Sequence, residues 1–286
     1  MANSVLITGA NSGIGLVTAL ELAGAGWDVI GTARTADKAA RLTDIAGDRG
    51  LQVRTVLCDV DDEDSCAKAV TEVEAMTGGL HALVNNAGFA QSGAVEDVSD
   101  EQVRAQLETN VVAPMRLARL VLPGMRERGD GRIVNVSSVA GRLSTPLMGW
   151  YCASKHALEA VTDALRREVE GDGIKVCLVE PGMFATDVWS AAQPGGFPEA
   201  STARYAAAYA RGEALGARSS RLPDPVWVAR TIRVALSNPV PLARYVIGAD
   251  AVGGILAETV LPTILTDYVK AISSGLRSPL RLPFVR

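Results

Sequence analysis

Two stretches of the chain bring together side chains that could do chemistry. In "YCASK", residues 151–155, a phenol and an ammonium stand four positions apart, which on a helix is one turn apart on one face. A phenol has a pKa of about 10, too high for an efficient base near neutrality. A neighbouring cation favours the phenolate and lowers that value. Tyr151 and Lys155 are therefore suited to exchanging a proton with a substrate oxygen. The same interval also arises in an ordinary helix-face pair, so the reading depends on what lies elsewhere in the chain.

The second stretch is "TGANSGIG", residues 8–15. Gly9 permits a sharp turn, and Gly13 and Gly15 allow a phosphate-bearing ligand and the following helix to come close. The start of that helix offers free N–H groups and a partial positive charge to a pyrophosphate. The spacing, G-x-x-x-G-x-G, differs from the common dinucleotide fingerprint G-x-G-x-x-G. Its place between a strand pattern and a helix pattern gives it its meaning.

These residues need a frame. Short β-branched runs, apolar on both faces, cover 4–9, 28–33, 52–59, 82–88, 132–138, 175–182 and 244–249, and helical patterns cover 14–25, 36–47, 63–77, 101–128 and 153–171. Such alternation signals a doubly wound parallel α/β sheet of Rossmann type, with ligands at the carboxyl ends of the strands.

With the glycine loop, "NNAG" (85–88), "NVSS" (135–138) and "YCASK" in that order, residues 3–188 resemble the short-chain dehydrogenase/reductase family. The resemblance implies a mainly parallel seven-stranded sheet in the order 3-2-1-4-5-6-7. It also implies a nicotinamide cofactor and metal-free interconversion of a carbonyl and an alcohol. The catalytic set falls on Asn110, Ser138, Tyr151 and Lys155. Tyr151 would move the proton, Lys155 would also hold the nicotinamide ribose, Ser138 would bond the substrate oxygen, and Asn110 would support a water linking Lys155 to solvent. Ser138 is preferred to Ser137 because its interval to Tyr151 is familiar in the family.

Cofactor contacts implied by the resemblance are Gly9, Asn11, Ser12, Gly13, Ile14 and Gly15 in the loop, and Asn86, Ala87 and Gly88 after the fourth strand. Asp59 and Val60 would flank the adenine, and Pro181, Gly182 and Thr186 the nicotinamide. Ala33 stands where an acid would bond the ribose of NAD, and Arg34 follows it. A guanidinium pairs with a 2′-phosphate, so NADP(H) is expected over NAD(H). A non-catalytic NADP(H)-sensing regulator, or a dehydratase or epimerase on the same fold, are the alternatives.

The acidic run "CDVDDED" (58–64) lacks the glycine and terminal glutamate of a calcium loop and suits a helix start. With only two histidines, no metal is expected. The formal net charge of −4 and the lack of a basic stripe argue against nucleic acid. The four cysteines form no CxxC and read as free thiols of a reducing, cytoplasmic compartment. No apolar run is long enough to span a bilayer.

The whole chain reads as one domain. Residues 189–225, rich in Gly, Pro and Ser, would be a substrate lid or a plain surface excursion. The apolar Met183, Phe184, Trp189, Phe197 and Tyr205 hint at a hydrophobic ketone. An extension, 255–286, carries Lys270, Arg277, Arg281 and Arg286 and could cover the site, pack on another subunit or touch a membrane surface. The family's habit of pairing through long helices implies a homodimer or homotetramer.

Overall fold

The strand-like runs form one parallel sheet in the computed structural model, which describes residues 3–186, 204–216 and 219–277. The strands are β1 (Ser4–Ile7), β2 (Asp28–Ala33), β3 (Arg54–Leu57), β4 (Ala82–Asn85), β5 (Gly131–Val136), β6 (Ile174–Pro181) and β7 (Arg244–Ile247). Their order is β3-β2-β1-β4-β5-β6-β7. The reversal of strand order between β1 and β4 opens a crevice above their carboxyl ends, where the glycine loop and "NNAG" meet.

The helices among the described residues are α1 (Gly13–Gly24), α2 (Ala36–Gly47), α3 (Glu63–Thr77), α4 (Asp100–Leu107), α5 (Ala113–Arg128) and α6 (Gly149–Glu168). They continue with α7 (Ala206–Gly216), α8 (Val226–Ser237), α9 (Ala249–Val260) and α10 (Thr263–Ser273). Leu20 and Leu22 of α1, Leu42 of α2 and Ile232 of α8 bury one face of the sheet. Val70 and Val73 of α3 with Leu117 and Val121 of α5 bury the other. The acidic run is a helix start: the Asp62 carboxylate accepts from the Ser65 amide at 2.6 Å, and Glu63 and Asp64 follow in the first turn of α3.

Two elements differ from the sequence reading. The helical pattern at 101–128 is interrupted by a π turn over Glu108–Val112. Pro114 has no N–H to close an α-helical bond onto the Asn110 carbonyl, and the chain widens there. Helix α6 begins at Gly149 rather than near 153, so Tyr151 is already helical. Leu147, at φ +66°, turns the chain into it, and its carbonyl accepts from the Gly93 amide at 2.7 Å. A left-handed leucine is held only by such surroundings.

A buried polar chain fixes β4, β5 and α6 in register. Asn85 pairs with Asn135 across the two strands, its Nδ2 donating to Asn135 Oδ1 at 2.8 Å. Asn135 Nδ2 in turn donates to Thr162 Oγ1 of α6 at 2.8 Å. Buried polar groups matched in this way specify one packing.

Candidate active site

A cleft of about 410 Å³ opens at the carboxyl ends of the strands. At its floor, Gly9 and Gly13 take φ of +63° and +52°, a region L side chains rarely enter. Gly15 does not face the cleft. A Cβ there would collide with the Gly9 carbonyl oxygen and lie 2.5 Å from Asn86 Nδ2, so Gly15 exists to bring α1 under the loop. Ser12 precedes α1 without a side-chain cap, which leaves the first amides of the helix for an anion. Asn11, Ser12, Gly13 and Ile14 all line the wall. A turn of this shape beside an uncapped helix start fits a dinucleotide's pyrophosphate.

Thr8 ties this loop to the next. Its Oγ1 accepts from the amides of Asn86 and Ala87, each at 2.9 Å, and its carbonyl accepts from Asn86 Nδ2 at 2.9 Å. Thr32 Oγ1 accepts from the Gly9 amide at 3.2 Å. Asn86, Ala87 and Gly88 consequently line the cleft. Asn110 lies behind them, buried, and is not part of the wall. Its Nδ2 donates to the Phe89 carbonyl and to Ser154 Oγ, both at 3.0 Å, and its Oδ1 accepts from the Phe89 amide at 3.2 Å. The side chain thus clamps the segment after β4 to α6.

Ser138, Tyr151 and Lys155 converge on one part of the wall. Ser138 follows β5 and caps the short turn Val139–Gly141, accepting from the Ala140 amide at 3.1 Å. Tyr151 and Lys155 are each only 7% exposed. The Lys155 ammonium lies 5.9 Å from the centroid of the Tyr151 ring and donates to the Val136 carbonyl at 3.0 Å. Ser137 also lines the cleft, and its buried Oγ has no protein hydrogen-bond partner.

The electrostatics depart from the sequence expectation. Burial pushes the Tyr151 phenol up to about 12, with a hydrogen bond to Ser138 pulling the other way. The expected lowering by Lys155 is not what the protein's own groups produce, because the ammonium is turned to Val136. Burial lowers Lys155 to about 8, and Glu159, one turn further along α6, raises it. At neutral pH the pair is therefore a protonated phenol beside a cation.

At the other end, Ala33, Arg34, Asp59 and Val60 line the cleft, with Arg34 exposed. Sequence reading missed Lys38, exposed on the same wall. Its position four residues after Arg34, in the first turn of α2, was the available signal. Cys58, Asp61, Phe89, Ala105 and Thr109 were missed as well, because only the fold carries them to the cleft.

Pro181, Gly182, Phe184 and Thr186 form the remaining wall. Tyr209 of α7 holds the loop after "NNAG": its hydroxyl accepts from the Ala94 amide at 2.9 Å and donates to Asp97 Oδ2 at 2.6 Å. Tyr205 donates to Glu96 Oε1 at 2.5 Å. Trp189, Phe197, Arg281 and Arg286 lie outside the described residues. Helix α9 lies beside the turn after Ser138, where a Cβ on Gly254 would approach Leu143 to 3.0 Å. Lys270 of α10 pairs with Glu258 of α9. Among the described residues, no cluster of groups could hold a metal ion and no helix is long and apolar enough to cross a membrane.

Comparison with known proteins agrees with this geometry. Residues 3–195 match the family model for short chain dehydrogenases. An NADPH-dependent 3-dehydrocapnine reductase from Ornithobacterium rhinotracheale is 32% identical over 271 residues, covering 92% of this chain and 94% of that one. A short-chain dehydrogenase structure from Streptomyces avermitilis superposes with a TM-score of 0.79 at 35% identity, covering 97% of this chain and 99% of that one. A variant of the actinorhodin polyketide ketoreductase solved with NADPH gives a TM-score of 0.75 at 29% identity, with coverage of 87% and 97%.

Proposed function

The chain belongs to the short-chain dehydrogenase family of oxidoreductases, and on that premise we propose that it is an NADP(H)-dependent reductase of a hydrophobic ketone. The observation that carries the reading is the convergence of Ser138, Tyr151 and Lys155 on one wall of the cleft that the glycine loop floors. The nicotinamide supplies the hydride when bound. Tyr151, protonated at neutral pH, donates its proton to the oxygen that becomes the alcohol. Ser138 offers its hydroxyl to the same oxygen as charge develops there. Lys155 is the cation that stabilises the phenolate left behind, and it also holds the ribose. Asn110 keeps the segment after β4 in place against α6.

Arg34 and Lys38 together favour NADP(H), since two cations at the end of β2 suit a 2′-phosphate and Ala33 offers no acid to a ribose hydroxyl. The NADPH named for the reductase and the ketoreductase above supports the choice. Phe184 makes the wall beside Thr186 apolar, and the ketoreductase above is by its name a polyketide one. The molecule pairs with a second copy through α5 and α6, where Met115, Leu122, Val161 and Leu165 line a shallow groove.

The test is a panel of alkyl and aryl ketones with NADPH, followed at the nicotinamide absorbance. Stoichiometric NADPH loss with alcohol formation supports the reading. NADPH binding with no consumption across the panel would count for a regulator instead.

A further inference from the structure

Behind the proton-transfer pair lies a second set of buried charges that the proposed reaction does not use. Glu159 is 5% exposed and Glu180 is fully buried. Glu159 stands one turn beyond Lys155 on the buried face of α6, and Glu180 sits in β6, just before Pro181. Both carboxylates reach the Arg244 guanidinium of β7: Nε donates to Glu159 Oε2 at 3.1 Å and lies 3.1 Å from Glu180 Oε1. Arg142 approaches Glu180 Oε2 to 3.6 Å. Arg244 also bonds Asp163 at 2.8 Å, and Asp163 pairs with Arg166 at 2.5 Å.

The cluster is packed against the site. A Cβ on Gly141 would lie 2.8 Å from Glu159 Cγ and 2.9 Å from Ser137 Oγ. Only a glycine there lets Glu159 lie under the turn that Ser138 caps.

Glu159 Oε1 and both oxygens of Glu180 are buried without a hydrogen-bond donor. Two carboxylates in contact cannot both ionise cheaply, and one keeps a proton. A proton on Glu180 would supply Glu159 Oε1 with the donor it lacks. We infer that Glu159 is a positioning residue acting through Lys155, the buried anion that keeps the ammonium charged, while Glu180 carries the proton of the pair. The division follows from the contacts. Glu159 has the Arg244 hydrogen bond and the Lys155 charge on its side, whereas Glu180 has no hydrogen bond from either arginine. Burial and the Glu159 charge push Glu180 well above the ordinary carboxylate range, and Glu159 raises Lys155 against the pull of burial.

The inference rests on the reading of Lys155 as the cation that serves Tyr151, so its test uses no substrate. Lysine labelled with 13C reports the Lys155 titration by NMR, assigned by its loss in Lys155→Met. Glu159→Gln should lower the Lys155 midpoint by about a full pH unit, a tenfold loss in proton affinity. Glu180→Gln, which removes a carboxyl that keeps its proton up to about 7, should lower it clearly less, and Glu159→Asp should restore most of it. An unmoved midpoint in Glu159→Gln, or an equal fall in Glu180→Gln, would overturn the assignment, because a merely structural role predicts no such asymmetry. Should Glu159→Gln fail to fold, carboxyl 13C titration of the wild-type protein decides. Glu180 holding its proton well above the ordinary carboxylate range supports the inference, and an ordinary carboxylate midpoint for Glu180 sinks it. The Lys155 reading fails separately, if Lys155→Met reduces a ketone as fast as the wild type.

Discussion

The Lys155 ammonium sits 5.9 Å from the centre of the Tyr151 ring and is bonded to the Val136 carbonyl, not to the phenol. That arrangement leaves the phenol protonated at rest, burial having pushed it up to about 12. A protonated phenol is a donor, which matches reduction of a ketone. Tyr151→Phe keeps the buried ring and removes only the transferable proton. Turnover of a ketone substrate should fall about 10²- to 10⁴-fold, the usual worth of a positioned general acid. NADPH affinity, read by fluorescence titration, should change little. A variant that kept wild-type turnover would exclude Tyr151 as the donor.

The same burial makes Lys155 a source of pH-dependent stability. Its folded pKa of about 8 lies below its ordinary value of 10.5. Between those values the unfolded chain binds the proton and the folded protein does not, so stability contributed at this position rises with pH. Below about 8 the folded protein carries the cost of a buried cation in full. Relative to Lys155→Met, the wild type should gain up to about 3 kcal/mol as pH climbs through that window. Urea unfolding of the cofactor-free proteins at several pH values measures the difference. Parallel pH curves for the two proteins would contradict the lowered value.

Much of this site can be read from the sequence, and the reason is local. The glycine loop, Arg34, and the Tyr151–Lys155 interval each work through neighbours within a few positions, so their meaning survives without the fold. The sheet is equally legible, because the central strands β1 and β4 are buried on both faces and helix-length patterns separate the strands. Other features depend on distant partners. Nothing near Glu159 in sequence announces Glu180 or Arg244, which approach it from β6 and β7. Thr8 reads as an ordinary strand end until Asn86 and Ala87 are seen bonded to it. The π turn has a local cause in Pro114, which stands in the middle of the 101–128 pattern, where a proline disturbs a helix; the helical periodicity on both sides of it outweighs that signal.

On the proposed reading, Arg34 and Lys38 share the contact to a 2′-phosphate. Both are exposed on the cleft wall, and a charge-assisted contact to phosphate contributes about 1.5–3 kcal/mol. Arg34→Ala should therefore weaken NADPH about 10- to 100-fold and leave NADH nearly unchanged. The double variant with Lys38→Ala should bring the two cofactors closer still. Isothermal titration with each nucleotide measures both effects. Equal losses for NADPH and NADH would mean that neither cation meets the 2′-phosphate.

Two glycine-to-alanine substitutions should move stability in opposite directions. At Gly15 an added methyl meets the Gly9 backbone carbonyl and the side-chain amide of Asn86, which its hydrogen bond to the Thr8 carbonyl holds in place. Either α1 retreats or the loop shifts, at about 1–3 kcal/mol for an overpacked site, and the turn that would cradle the pyrophosphate is distorted with it. Gly47, the last residue of α2, has nothing within 4 Å of an added Cβ and no left-handed φ. There alanine removes backbone freedom from the unfolded chain and should stabilise by about 0.4–1 kcal/mol. Thermal unfolding should thus give a lower Tm for Gly15→Ala and a slightly higher one for Gly47→Ala. NADPH affinity should fall only in the first. A Gly15→Ala protein that matched the wild type in both Tm and NADPH binding would show that the close approach of α1 to the loop is not what requires glycine there.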